Sequence, residues 1–163
     1  MKTFLARRRA LFLLPLLVLP VALLAFACGG GGEEGTKEAA TTEGELFVDP
    51  NAPVVDIDVN EWSVKPQTAT AAAGAVTFNA ENKGASAHEL VLIKTDTPAD
   101  QLPVANGKVD EDAVGEVIGE IEDLGAGLSV AATFDLAPGH YAFICNYEGH
   151  YQQGMHADFT VGG

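Results

Sequence analysis

The chain is poor in the residues that most often carry chemistry: two cysteines (Cys28 and Cys145), two methionines, four histidines and one tryptophan in 163 residues. Two cysteines rule out a disulfide-dense scaffold. Basic residues are scarce as well, nine Lys and Arg against 23 Asp and Glu, for a formal charge of −14. Such a surface repels phosphate backbones, so no nucleic-acid partner is expected. No repeat recurs at a fixed period, and no strand–helix–strand rhythm points to a parallel α/β sheet. What remains is 47% apolar, with few aromatics, enough for the core of one ordinary domain.

The four basic residues Lys2, Arg7, Arg8 and Arg9 precede an uncharged run from Leu11 to Ala27 that Pro15 and Pro20 interrupt. This order reads as a cleaved export signal over residues 1–27 rather than a spanning helix. Cys28 follows in the string LAFAC, which resembles a bacterial lipoprotein signal, with Ala25 where that pattern usually has Leu and Phe26 as a bulky intruder. The expectation is a lipidated Cys28, a flexible Gly- and Glu-rich linker over 28–48, and a domain over 49–163. The protein would then sit on the outer face of the cytoplasmic membrane, in the periplasm or at the cell surface. Cleavage removes four basic and no acidic residues, taking the charge to −18.

From Val54 onward short alternating runs appear: VVDIDV, AVTFNA, HELVLIK, SVAATFDL, HYAFICN and ADFTV, separated by NKG, APG and EGH. They predict an all-β, antiparallel Greek-key sandwich. One segment departs from alternation, with Val114, Val117, Ile118, Ile121 and Leu124 at three- and four-residue spacing. It predicts one short helical insertion around 110–124, weakened by Gly115 and Gly119.

If Cys28 is lipidated, Cys145 stands alone in an oxidising compartment, where ligation to a metal would protect its thiol. The segment Cys145-Asn-Tyr-Glu-Gly-His150-Tyr-Gln-Gln-Gly-Met155 places thiolate, imidazole and thioether in one loop. Alternation along PGHYAFIC turns Tyr141, Phe143 and Cys145 to one face, His140, Ala142 and Ile144 to the other. Thiolate with imidazole suits copper, zinc or iron, and the thioether tips the choice to copper. A second imidazole is then required, and His88, opening HELVLIK, is the candidate.

These residues resemble the cupredoxins, the small blue-copper proteins, over roughly residues 54–161. The Cys-x4-His-x4-Met spacing is most similar to that of rusticyanin and auracyanin, and N-K-G-A-S-A-H-E is similar to the family's first ligand loop. The resemblance implies one type 1 copper ion held by His88, Cys145, His150 and Met155. It also implies a monomeric electron carrier, not an enzyme, with Gly149, Tyr151 and Gly154 lining a docking patch around His150. The acidic surface suits a basic redox partner such as a c-type cytochrome, with a membrane oxidase or reductase as the other expected kind. The family often has Asn after the first ligand, tying the two ligand loops. Here Glu89 stands in its place, leaving Asn146 or Ser86 to supply the tie.

A Cu(I) store or chaperone would use the same four residues and is the alternative. A multicopper oxidase or nitrite reductase would need more histidines than four. An adhesive sandwich would leave Cys145 without a role. His140 and His156 read as surface residues, Trp62 as core or edge packing, and Met155 could fill a gap in the core.

Overall fold

A computed structural model describes residues 46–163. The expected signal segment, Cys28 and the linker up to residue 45 lie outside them. Eleven strands follow in order: β1 (Val54–Asn60), β2 (Ser63–Pro66), β3 (Thr70–Ala72), β4 (Gly74–Asn82), β5 (His88–Lys94), β6 (Val104–Ala105), β7 (Lys108–Val109), β8 (Glu116–Leu124), β9 (Ser129–Leu136), β10 (Gly139–Ile144) and β11 (His156–Gly162). They form a four-stranded sheet, β2-β1-β4-β9, a five-stranded sheet, β3-β11-β10-β5-β8, and a small β6–β7 hairpin.

The sandwich predicted from alternation is present, with two differences. First, the sheets are mixed, since β1 pairs with β4 and β11 pairs with β3 in parallel. Second, the expected helix around 110–124 is absent. Its place is taken by a 3-10 turn at Glu111–Ala113 and the edge strand β8. The helix-like spacing arises from two irregularities in the β5–β8 ladder, between His88 and Leu90 and between Leu92 and Ile93. Each inserts an extra residue in β8, which shifts the inward positions out of period two. Asp123, left-handed at φ 49°, is why Ile121 and Leu124 both point inward from three residues apart.

The inner faces meet around Phe78, Phe143 and Phe159, whose rings contact edge-on with centroids 4.9–5.4 Å apart. Such pairs add to the burial of large apolar area. A second apolar cluster lies on the outer face of the five-stranded sheet, where Val91, Ile93, Ala142 and Ile144 are covered by Ala99, Leu102, Val109, Val114 and Tyr151. Burial on both faces is why HELVLIK reads as a continuous apolar run rather than an alternating one. It also fixes β10 rigidly, with Tyr141, Phe143 and Cys145 inward, as alternation predicts.

Residues before 49 also contact the sandwich. The Thr133 N–H donates to the Phe47 carbonyl at 2.8 Å, and the Asp49 N–H donates to Thr133 Oγ1 at 2.8 Å.

Candidate metal centre

Cys145 ends β10, and its N–H donates to the Met155 carbonyl at 3.0 Å, closing the 145–155 segment into a loop. Within it the His150 N–H bonds to the Tyr147 carbonyl at 2.9 Å and a 3-10 turn spans Tyr151–Gln153. Gly149 (φ 81°) and Gly154 (φ 111°) hold the left-handed conformations that bend this loop. A side chain would be strained at both places. Gly154 also passes so near the Trp62 carbonyl that a β-carbon would sit at 3.2 Å.

The loop and β5 bring three donor atoms together. Sγ of Cys145 lies 3.3 Å from Nδ1 of His150 and 3.9 Å from Nδ1 of His88, and the two Nδ1 atoms are 3.3 Å apart. Imidazole nitrogen and thiolate sulfur bound trigonally to one ion at about 2.0–2.3 Å would be about 3.5–3.8 Å apart. The three donors therefore fit a single ion. His88 and Cys145 are fully buried, and His150 is partly exposed.

Burial lowers the affinity of both imidazoles for protons, His88 further through its neighbour His150. Both rings are thus held neutral, the form that ligates. Burial raises the Cys145 thiol, opposed by the backbone N–H groups of Glu89 and Tyr147 aimed at the sulfur. A soft thiolate with two imidazoles in a dry site is the donor set that suits copper. Met155 is fully buried in the same core cluster as Cys145.

Sulfocyanin (SoxE) domain is the description of the family that matches, and the match covers residues 51–163. The chain belongs to that family, which is one of the cupredoxins. Among solved structures it is similar to a dithionite-reduced auracyanin from the photosynthetic bacterium Roseiflexus castenholzii. The two are 26% identical over 69% of this chain and 98% of that one, with a TM-score of 0.53. It is also similar to auracyanin B (22% identity, 72% of this chain and 94% of that one, TM-score 0.53). Rusticyanin from Thiobacillus ferrooxidans is matched at 16% identity over 72% of this chain and 86% of that one, with a TM-score of 0.47. No curated protein matches the chain. Family and donor set agree on one copper ion as the cofactor.

Around the donors the sequence reading needs correction at three residues. Tyr151, expected on a docking patch, is 5% exposed and packs in the outer cluster, where its hydroxyl accepts the Leu102 N–H at 2.9 Å. The segment between β5 and β8 covers it. The side chain of Asn146 does not tie the ligand loops together: it pairs with the backbone of Val109 in both directions and donates to Glu111. Nor does Ser86, whose carbonyl accepts from Asn82 Nδ2 at 2.7 Å. The tie is Glu89, whose N–H donates to Cys145 Sγ at 3.5 Å. Burial raises the Glu89 carboxyl to about 7, with Lys108 and the Asn146 N–H acting the other way.

Two residues near the site were not singled out from sequence. Asn82, fully buried, donates to the carbonyls of Ser86 and Leu124 and accepts the Gly84 N–H, shaping the turn before His88. Glu61 accepts the N–H groups of Ala85 and Ser86, and these bonds hold its carboxyl down to about 2. Trp62 is 42% exposed and sits edge-on to the His150 ring, with centroids 5.1 Å apart, rather than in the core. His140 lies away from the site, between the Thr95 carbonyl and Asp158, and His156 packs on Tyr151.

Proposed function

We propose that the protein is a single-copper electron carrier working outside the cytoplasmic membrane, with Met155 as a weak fourth donor to His88, Cys145 and His150. The observation that carries this reading is the triangle of Cys145 Sγ and the two Nδ1 atoms at 3.3–3.9 Å. Bound there, copper supplies a one-electron couple. The chain's part is to keep its donors in place through both oxidation states, and three features serve that. Cys145 leaves a strand buried on both faces, Glu89 bridges the loops, and the Cys145–Met155 backbone bond fixes the loop span. Neutral imidazoles and a buried sulfur exclude water and competing protons.

His150 is the partly exposed donor, and Trp62 and Tyr147 flank its ring, so electrons would enter and leave on that side. The burial of His88, Cys145 and Met155 favours retention of the ion over hand-off, which supports a carrier above a Cu(I) chaperone. The carrier makes no bond in a substrate and is not an enzyme in this reading. Its partners are redox proteins such as a c-type cytochrome or a membrane oxidase or reductase. It acts as a monomer, tethered through a lipidated Cys28.

The test is a visible absorption spectrum of the protein with one equivalent of Cu(II), beside Cys145→Ser. An intense thiolate-to-copper band that disappears in the variant supports the carrier; colourless protein that still binds Cu(I) tightly supports the chaperone instead. Export is tested by fractionation: the protein should leave the membrane fraction when Cys28 is changed to Ala.

A further inference from the structure

His88 uses one ring nitrogen in the donor triangle, and the other has no hydrogen-bond partner. Nε2 is buried and unpaired, a situation that costs about 1–3 kcal/mol and that native interiors seldom leave without a reason. Facing it is Glu61, whose Oε1 lies 3.5 Å away. Glu61 stands in the turn between β1 and β2, on the opposite sheet from His88. The same Oε1 accepts the N–H of Ser86 at 2.6 Å and of Ala85 at 3.0 Å, and Oε2 lies 3.3 Å from the Ala85 nitrogen. The approach is tight, since a β-carbon on Gly84 would collide with this carboxylate. One carboxylate therefore clamps the loop that delivers His88 and faces the far side of its ring.

A neutral imidazole carries one proton. With Nδ1 of His88 turned into the donor triangle, that proton must reside on Nε2 for the ring to ligate. An anionic oxygen beside Nε2 favours that placement, and a carboxylate behind a metal-bound histidine raises the ring's basicity. We propose that Glu61 is a positioning residue of the metal centre: its carboxylate selects the Nε2–H form of His88, points Nδ1 at the ion, and stabilises the more positive oxidation state of copper through its charge. The inference deepens the copper reading and rests on it for the last clause only.

The experiment has two readouts on Glu61→Gln and Glu61→Ala. In the metal-free protein, nitrogen-15 NMR of the His88 ring reports its tautomer. The wild type should show the Nε2–H form and both variants a shift toward Nδ1–H. In the copper-loaded protein, the Cu(I) to Cu(II) ratio at fixed applied potential should rise about tenfold in Glu61→Gln, about 59 mV for one electron. Gln keeps an oxygen for the Ala85 and Ser86 N–H groups, so a role confined to clamping the loop would leave both readouts at wild-type values. An unchanged tautomer in Glu61→Gln overturns the proposal, and an unchanged ratio overturns its electrostatic clause. Should the protein take up no copper, the carrier reading falls, while the tautomer of the metal-free protein still decides the role of Glu61.

Discussion

Gly119 of β8 lies against the ring of Phe134 on β9, so closely that a β-carbon at position 119 would overlap the ring. The relationship separates two structures for this segment. In an exposed helix, Gly→Ala stabilises by up to about 1 kcal/mol. In the observed strand, Gly119→Ala forces the ring aside, and overpacking of this kind costs about 1–3 kcal/mol. Chemical denaturation of the variant should show destabilisation, and stabilisation would restore the helix.

The misread segment shows where sequence periodicity runs out. Ile118, Ile121 and Leu124 share the inner side at three-residue spacing, where a regular strand would alternate them. Bulges produce that pattern, and a string of residues does not reveal them. By contrast, β10 has no bulge, and its alternation placed Cys145 inward correctly. The donor triangle was legible because its residue types are rare in this chain and chemically selective. Tyr151 was misplaced because the segment that buries it packs from afar. Glu61 was missed for the same reason: an acid in a turn is ordinary in sequence, and only the fold brings it to the ligand loop, whereas Asn82 opens the string N-K-G-A-S-A-H-E and only its hydrogen bonds to Ser86, Leu124 and Gly84 waited for the fold.

Asn82→Ala would leave the carbonyls of Ser86 and Leu124 and the Gly84 N–H without their side-chain partner. Each such loss is worth about 1–3 kcal/mol when buried. Thermal unfolding of the metal-free variant should occur at a clearly lower temperature, and hydrogen exchange should rise first over residues 83–88. Unfolding at the wild-type temperature would show the loop to be held by Glu61 alone.

Phe78 is fully buried and touches Phe143 and Phe159. Phe78→Ala should cost about 3–5 kcal/mol, measured by denaturant midpoint. Tyr151→Phe keeps the ring and removes only the acceptor of the Leu102 N–H, so its cost should be about 1–3 kcal/mol, leaving the visible spectrum of the copper form unchanged.

Glu120 on β8 has its carboxyl raised by burial and by Glu111 and Glu122. A carboxyl raised above its unfolded value of 4.5 binds its proton more tightly in the folded state. Its contribution is therefore favourable below pH 4.5 and is lost as pH rises through the folded value. Glu120→Gln should unfold at a higher temperature than the wild type at pH 7, with the advantage shrinking as pH falls to 4. An advantage independent of pH would contradict the burial argument.

The central claim is that His88, Cys145 and His150 hold one copper ion that changes oxidation state without leaving. Spectroelectrochemical titration of the purified copper-loaded protein tests it directly. The account predicts a single reversible one-electron transition, with the visible band bleaching on reduction and returning fully on reoxidation at one copper per chain. Loss of copper to a chelator on reduction, with no return of the band, would contradict it.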